Sequence, residues 1–73
     1  MPIARSTVLL GHAQADGRVY VRERHEWGDG EITDVEYGPV SIALDHQAVA
    51  TARAAQIMEQ RAAAEFEGLI GGA

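Results

Sequence analysis

His25 and Asp34 are the first residues whose types and spacing suggest chemistry. They lie in strand-like runs on either side of a glycine-rich turn, and a turn centred on Asp29-Gly30 places them opposite each other. An imidazole beside a carboxylate can act as a general base that is held in one tautomer. No serine or cysteine nucleophile has evident access to this pair. The sequence therefore favours a structural cross-strand pair over a catalytic one.

The three histidines, His12, His25 and His46, raise the question of a metal site. Zinc needs three or four convergent ligands. The close ligand spacings of zinc motifs do not occur in this chain, which also contains no cysteine. The sequence therefore predicts no metal site, no other cofactor and no catalytic residue.

A stripe of arginine and tyrosine follows one face of the predicted strand from Arg18 to Trp27. Tyr20, Arg22 and Arg24 lie on this face, and the predicted register adds Tyr37 opposite Arg22. Arginine and tyrosine are favoured at interfaces, because they bury a large area with rigid hydrogen-bonding groups. The competing interpretation is a solvated outer face whose charges are balanced by neighbouring acids. Both interpretations remain open at this point.

Strict alternation from Arg18 to Trp27 predicts the best defined strand of the chain. One of its faces carries Val19, Val21, Glu23, His25 and Trp27. A strand is also predicted before it, at Ser6–Gln14, and another after it, at Glu31–Tyr37. Gly38-Pro39 is predicted to end the sheet, because proline cannot donate to the ladder.

A long helix is predicted from Asp45 to Glu67, where helix-favouring residues dominate and the first residue can serve as the N-cap. Gly68 is predicted to stop it. Its apolar stripe consists of Ala50, Ala54, Ile57, Met58, Ala62, Phe66, Leu69 and Ile70. Because the helix is longer than the strands, the end with Phe66, Leu69 and Ile70 is expected to overhang the sheet and to need a partner.

These elements predict an α+β fold, a small antiparallel β-meander of two or three strands followed by one long C-terminal α-helix. With 73 residues, the chain is one small domain at most. The expected boundaries are a flexible N-terminal arm at 1–5, a single domain at 6–70 and a flexible tail at 71–73. Alanine supplies much of the apolar content, so the core is expected to be thin and to be completed by oligomerisation or docking.

The charge of the chain narrows the classes of partner. The net charge is −5, and all six basic residues are arginines. Phosphate backbones repel such a chain, so direct nucleic-acid binding is not expected. No apolar run approaches the roughly 20 residues needed to cross a bilayer, so no membrane partner is expected either.

The central hairpin and the following helix resemble small tailed-phage proteins of the virion or of its assembly. The resemblance lies in DGRVYVRERH at residues 16–25, then Asp29-Gly30, Val35-Glu36-Tyr37 and the helical segment Thr51-Ala52-Arg53-Ala54-Ala55. It implies a head, neck or tail component without enzymatic activity, located in the virion and, before assembly, in the host cytoplasm.

The expected function is therefore that of a non-enzymatic structural or assembly protein. Its expected partners are other virion proteins or copies of itself, bound through the arginine and tyrosine face and the helix end. The alternative is a small acidic phage-encoded inhibitor or regulator of a host nucleic-acid-binding protein, which the net charge of −5 suggests.

Overall fold

The computed structural model describes residues 2–71 of the chain, with side chains as far as Leu69. Its elements, in chain order, are β1 (Ile3–Leu10), β2 (Arg18–Trp27), β3 (Ile32–Ser41) and α1 (His46–Gly71). The strands form one antiparallel sheet in the order β1-β2-β3, and the single helix follows it. The predicted α+β meander with a C-terminal helix is confirmed.

β1 begins and ends earlier than the sequence predicts. The strand expected at Ser6–Gln14 lies at Ile3–Leu10, so residues 3–5 of the predicted arm belong to the sheet. Gly28 N donates to Pro2 O at 3.0 Å, which fixes the start of β1 against the β2–β3 turn. The arm prediction was wrong at these residues because Ile3 and Arg5 pair with β2. Met1 of the predicted arm lies outside the described residues.

The turn between β1 and β2 explains why β1 ends before Gln14. Gln14 N donates to Arg18 O at 2.8 Å, and Gly17 N donates to Gln14 O at 3.0 Å. Gly17 has a φ of 79°, a conformation that glycine adopts at little cost. The turn therefore uses Gln14 and its neighbours, and they are not available to β1.

The β2–β3 turn moves the predicted register by one residue. Trp27 N donates to Glu31 O at 2.8 Å, and Gly30 N donates to Trp27 O at 3.0 Å, with Gly30 at a φ of 94°. This geometry is that of a three-residue loop closed by a glycine with positive φ, rather than a two-residue turn. As a result Arg22 pairs with Glu36 and Arg24 with Asp34.

Gly38-Pro39 does not end the sheet, which corrects a second expectation. β3 continues to Ser41, and the register shifts where this dipeptide passes Tyr20. Proline is tolerated at bulges and on edge strands, and β3 is an edge strand. A Cβ added to Gly38 would lie 2.9 Å from Val19 O and from Tyr20 Cα, so the close approach requires glycine.

The inner face of the sheet is the face that α1 covers. The face of β2 that carries Val19, Val21, Glu23, His25 and Trp27 is buried throughout. The buried apolar side chains are Val19, Val21, Trp27, Ala50 and Ala54. Two of these five are alanines, so the core is as thin as the composition predicts.

α1 begins where the sequence predicts and ends later. Ala48 N donates to Asp45 Oδ1 at 3.0 Å, which confirms the N-cap. Gly68, the predicted stop, lies inside the helix, which continues to Gly71. Of the predicted tail, Gly72 and Ala73 lie outside the described residues.

Candidate functional site

The outer face of the sheet, opposite α1, carries three of the predicted interface residues. Tyr20, Arg22 and Arg24 are all exposed there. Arg22 Nε donates to Glu36 Oε1 at 2.7 Å, and Arg24 Nε donates to Asp34 Oδ1 at 3.1 Å. The two arginines that the sequence offers to a partner are thus already paired across the strands.

These ion pairs give the outer face its electrostatic character. The hydrogen bond from Arg24 holds the pKa of the Asp34 carboxyl below its usual value, and the same bond raises the pKa of Arg24. Exposed pairs of this kind contribute little to stability. They make the face alternate in charge, which favours a solvated surface over an arginine-rich docking site.

Tyr37 lies on the inner face of the sheet, whereas the sequence predicts it opposite Arg22 on the outer face. It pairs with Val21, because the three-residue turn moved the register by one. The Arg53 guanidinium of α1 lies 4.9 Å from the centre of the Tyr37 ring. Tyr37 therefore belongs to the contact between sheet and helix.

A buried polar cluster, comprising Ser6, Glu23, His25, Tyr37 and Arg53, joins all four elements. Glu23 Oε1 accepts hydrogen bonds from His25 Nε2 at 2.9 Å and from Arg53 Nε at 2.8 Å. Ser6 Oγ lies 2.7 Å from His25 Nδ1. In the tautomer whose Nε2 donates to the carboxylate, Nδ1 accepts from the serine hydroxyl. The partners of His25 are therefore Ser6 and Glu23 rather than Asp34, which lies on the outer face.

The electrostatics of the cluster depend on burial and on Arg53. Burial raises the pKa of the Glu23 carboxyl, but hydrogen bonds from Arg53 and His25 outweigh it and hold this pKa below its usual value. Burial raises the pKa of the Tyr37 hydroxyl, and the nearby Glu23 carboxylate raises it further. Within residues 2–69, Glu23 Oε2 and the Tyr37 hydroxyl have no hydrogen-bond partner of good geometry.

Serine, histidine and glutamate contact one another in the same succession as in a hydrolase triad, but with the two imidazole nitrogens exchanged, since the serine contacts Nδ1 and the carboxylate contacts Nε2. Catalysis would require the serine and the imidazole to meet a substrate. His25 and Glu23 are 0% exposed, and Ser6, Glu23 and His25 line neither the groove beside Leu10 nor the groove beside Met58. The cluster is placed to hold α1 on the sheet, and the geometry favours that role.

The histidines do not converge. His12 is exposed in the β1–β2 connection, whereas His25 and His46 are buried in β2 and at the start of α1. Among the residues that the structure describes, no three histidine or acidic side chains lie close enough to hold a metal ion.

The end of α1 exposes large apolar side chains. Every side chain from Ala62 to Leu69 is exposed, Phe66 to 62% and Leu69 to 83%. This agrees with the predicted overhang. Ile70, the third residue predicted there, has its side chain outside the described part.

A second apolar surface, which the sequence reasoning missed, lies at the other end of the sheet. Leu9, Leu10 and Tyr20 are exposed beside a groove with a volume of about 360 Å³. The consecutive leucines were the available signal, because successive strand residues point to opposite faces and both cannot enter one core.

Comparison of the chain with protein-family models, with curated proteins and with solved structures finds no match in any of the three. Over residues 2–71, no helix combines the length and the apolar character that crossing a bilayer requires. The function is therefore inferred from the residues and their geometry.

Proposed function

We propose that the protein is a non-enzymatic subunit of a larger protein assembly and binds neighbouring subunits through the end of α1. The exposure of Phe66 and Leu69 at the end of a regular helix carries this proposal. Large apolar side chains exposed together typically mark a protein interface.

The shape of the molecule supports the proposal. The accessible surface is 5104 Å², whereas a compact monomer of this size exposes roughly 4,400 Å². The radius of gyration is 15.0 Å, against about 11 Å for a compact domain of this length. The excess comes from a helix that extends past the sheet, as the extents of 54 × 22 × 16 Å indicate.

The resemblance of the central hairpin and helix to small tailed-phage proteins supports a virion as the assembly. The neighbours are then other head, neck or tail proteins or further copies of this chain. The alternative role, an acidic inhibitor of a nucleic-acid-binding protein, needs free carboxylates. On the outer face Asp34 and Glu36 are bound to arginines, which does not favour that alternative.

Light scattering and thermal melting of the purified chain test the proposal. We expect the mass in solution and the melting temperature to rise with protein concentration, because association stabilises the folded state by mass action. A stable monomer whose cooperative melting does not depend on concentration would contradict an assembly role that completes the fold.

A further inference from the structure

The apolar stripe of α1 turns away from the sheet along the helix. Ala50 and Ala54 face the sheet and are buried, and Met58 is half-buried. Ala62 and Phe66 continue the stripe, but at 3.6 residues per turn their side chains point roughly 120° or more away from that of Ala50. The distal stripe, Met58, Ala62, Phe66 and Leu69, thus lies along the flank of the helix.

A groove with a volume of about 200 Å³ lies beside the first half of the distal stripe. It is lined by Pro2, Trp27, Met58, Arg61, Ala62 and Glu65. The groove therefore lies where the overhanging part of the helix leaves the sheet, next to the half-buried Met58.

We propose that a second copy of this chain occupies the distal stripe, with the two α1 helices antiparallel and Ala62 of each copy facing the other. This proposal rests on the proposed assembly function and specifies the neighbouring subunit as a second copy of the chain. In this register Phe66 of each copy lies beside Met58 and the groove of the other. Leu69 of each copy lies beside Ala55 of the other.

The side chains favour this antiparallel register. Ala62 at the centre allows the two helices to approach closely, and the large Phe66 falls against the groove rather than against its own counterpart. A two-fold axis makes such a contact self-complementary. The two sheets then lie at opposite ends of the helix pair, so they do not collide.

Charge complementarity points the same way. Arg61 lies 3.5 Å from Glu65 of its own chain. In the antiparallel pair it also lies near Glu65 of the other copy, and the helix dipoles oppose each other. A parallel pair with Ala62 at its centre would align the helix dipoles and bring both sheets to the same end. The dipoles and the position of the sheets therefore disfavour the parallel arrangement.

The available area is sufficient for the contact. The surface exceeds that of a compact monomer by roughly 700 Å². A standard protein interface buries about 800 Å² on each partner. A helix contact along the distal stripe can therefore reduce the exposed surface area of each chain to about that of a compact domain.

Cysteine cross-linking of the full chain tests the pairing, since the natural sequence has no cysteine. In the folded Ala62→Cys variant we expect oxidation to convert most chains to a covalent dimer, because a disulfide needs Cα atoms about 4.4 to 6.8 Å apart. Ala63→Cys, one residue off the stripe, is the matched control, and oxidation should not link it covalently. Ala55 lies at nearly the same angle on the helix as Ala62, but in the antiparallel pair its two copies are roughly 20 Å apart, so Ala55→Cys should not link.

Each outcome decides a different point. Linkage of both Ala55→Cys and Ala62→Cys would replace the antiparallel pair by a parallel one and overturn the inference. Equal linkage of Ala62→Cys and Ala63→Cys would indicate random collision and overturn it as well. If the chain forms oligomers but Ala62→Cys stays unlinked, the inference fails while the assembly function stands.

Phe66→Glu provides an independent readout. Phe66 is exposed in the monomer, so the variant should keep its helix content by circular dichroism in dilute solution. Its mass by light scattering should fall from that of two chains to that of one at concentrations where the natural chain is dimeric. An unchanged mass would overturn the inference.

Discussion

Glu23 is the residue that connects the sheet to the helix. Its carboxylate is buried in the middle of β2 and accepts hydrogen bonds from His25 on its own strand and from Arg53 on α1. A buried carboxylate without such partners would be strongly destabilising. The cluster around it therefore stabilises one position of α1 on the sheet.

Replacing Glu23 by glutamine should lower the free energy of unfolding. It should also make that free energy depend less on pH in the acid range. Because the folded-state pKa of Glu23 is lowered, its stabilising effect is fully present above the ordinary glutamate pKa of about 4.3. That effect is lost as the pH falls through the lower folded-state value. Glu23→Gln removes the charge that Arg53 faces, so we expect a loss of about 2 to 3 kcal/mol near neutral pH.

Urea unfolding as a function of pH measures this effect, with Glu67→Gln, an exposed carboxylate at the helix end, as the control. The control should reproduce the natural pH profile. If Glu23→Gln shows the same loss of stability in acid as the natural chain, the cluster is not the origin of that loss.

Tyr37 should titrate above its ordinary value. Burial raises its pKa, and the Glu23 carboxylate raises it further. The chain has two tyrosines, so Tyr20→Phe leaves Tyr37 as the sole phenol. Phenolate absorbance of this variant should rise at a pH above about 10 in the folded state and near 10 in urea.

Because the pKa of Tyr37 is raised in the folded state, stability should fall at high pH. The contribution of Tyr37 to the free energy of unfolding is fully present below the ordinary tyrosine pKa and is lost as the pH rises through the folded-state value. A folded Tyr20→Phe variant that titrates like the urea-unfolded chain would place Tyr37 on the exposed outer face, as the sequence alone suggested.

The strands show what could be predicted at the scale of elements. Period-two alternation identified the buried face of β2, and the residues around Asp29-Gly30 located the hairpin. The register could not be read, because Gly28-Asp29-Gly30 is compatible with a two-residue or a three-residue loop and the choice moves every pair by one. That single step transferred Tyr37 from the outer face to the inner face.

The buried polar cluster was unpredictable for a related reason. Its serine comes from β1, whose bounds depend on the preceding turn, and Arg53 comes from the helix. Of its members, the sequence singled out His25, with the wrong partner, and Tyr37, on the wrong face. Local patterns specify which face a residue occupies, whereas contacts between elements depend on registers that those patterns leave open.

Gly38 should be the most sensitive glycine of the sheet. Its φ of 136° is unfavourable for other residues, and an added Cβ would lie 2.9 Å from the backbone of β2. Gly38→Ala should therefore lower the free energy of unfolding by about 2 to 3 kcal/mol. Gly17→Ala is the matched control, since Gly17 has a φ of 79° but open space around it and should lose only about 1 kcal/mol. Equal losses in urea unfolding would show that the contact with β2 is unimportant.

At the scale of the whole molecule, arginine replaces missing apolar cover. α1 packs closest to β1, and its arginines reach across the rest of the inner face. Arg53 covers Tyr37, while Arg61 lies 4.3 Å from the centre of the Trp27 ring and 2.9 Å from Glu31. Guanidinium groups stack on aromatic rings while their long stems bury apolar surface. A single helix can therefore cover a three-stranded sheet, at the expense of a small core.

The two halves of α1 should differ sharply in their tolerance of charge. Ala50 and Ala64 lie on nearly the same side of the helix, about four turns apart, but Ala50 is 0% exposed over the sheet and Ala64 is exposed beyond it. Ala50→Glu buries an unpaired carboxylate and should cost more than about 3 kcal/mol or prevent folding. Ala64→Glu should change stability by no more than about 0.5 kcal/mol in urea unfolding of dilute protein. A comparable loss in both variants would mean that the helix end packs on its own sheet in solution, and the surface proposed for a neighbouring subunit would not be free to bind one.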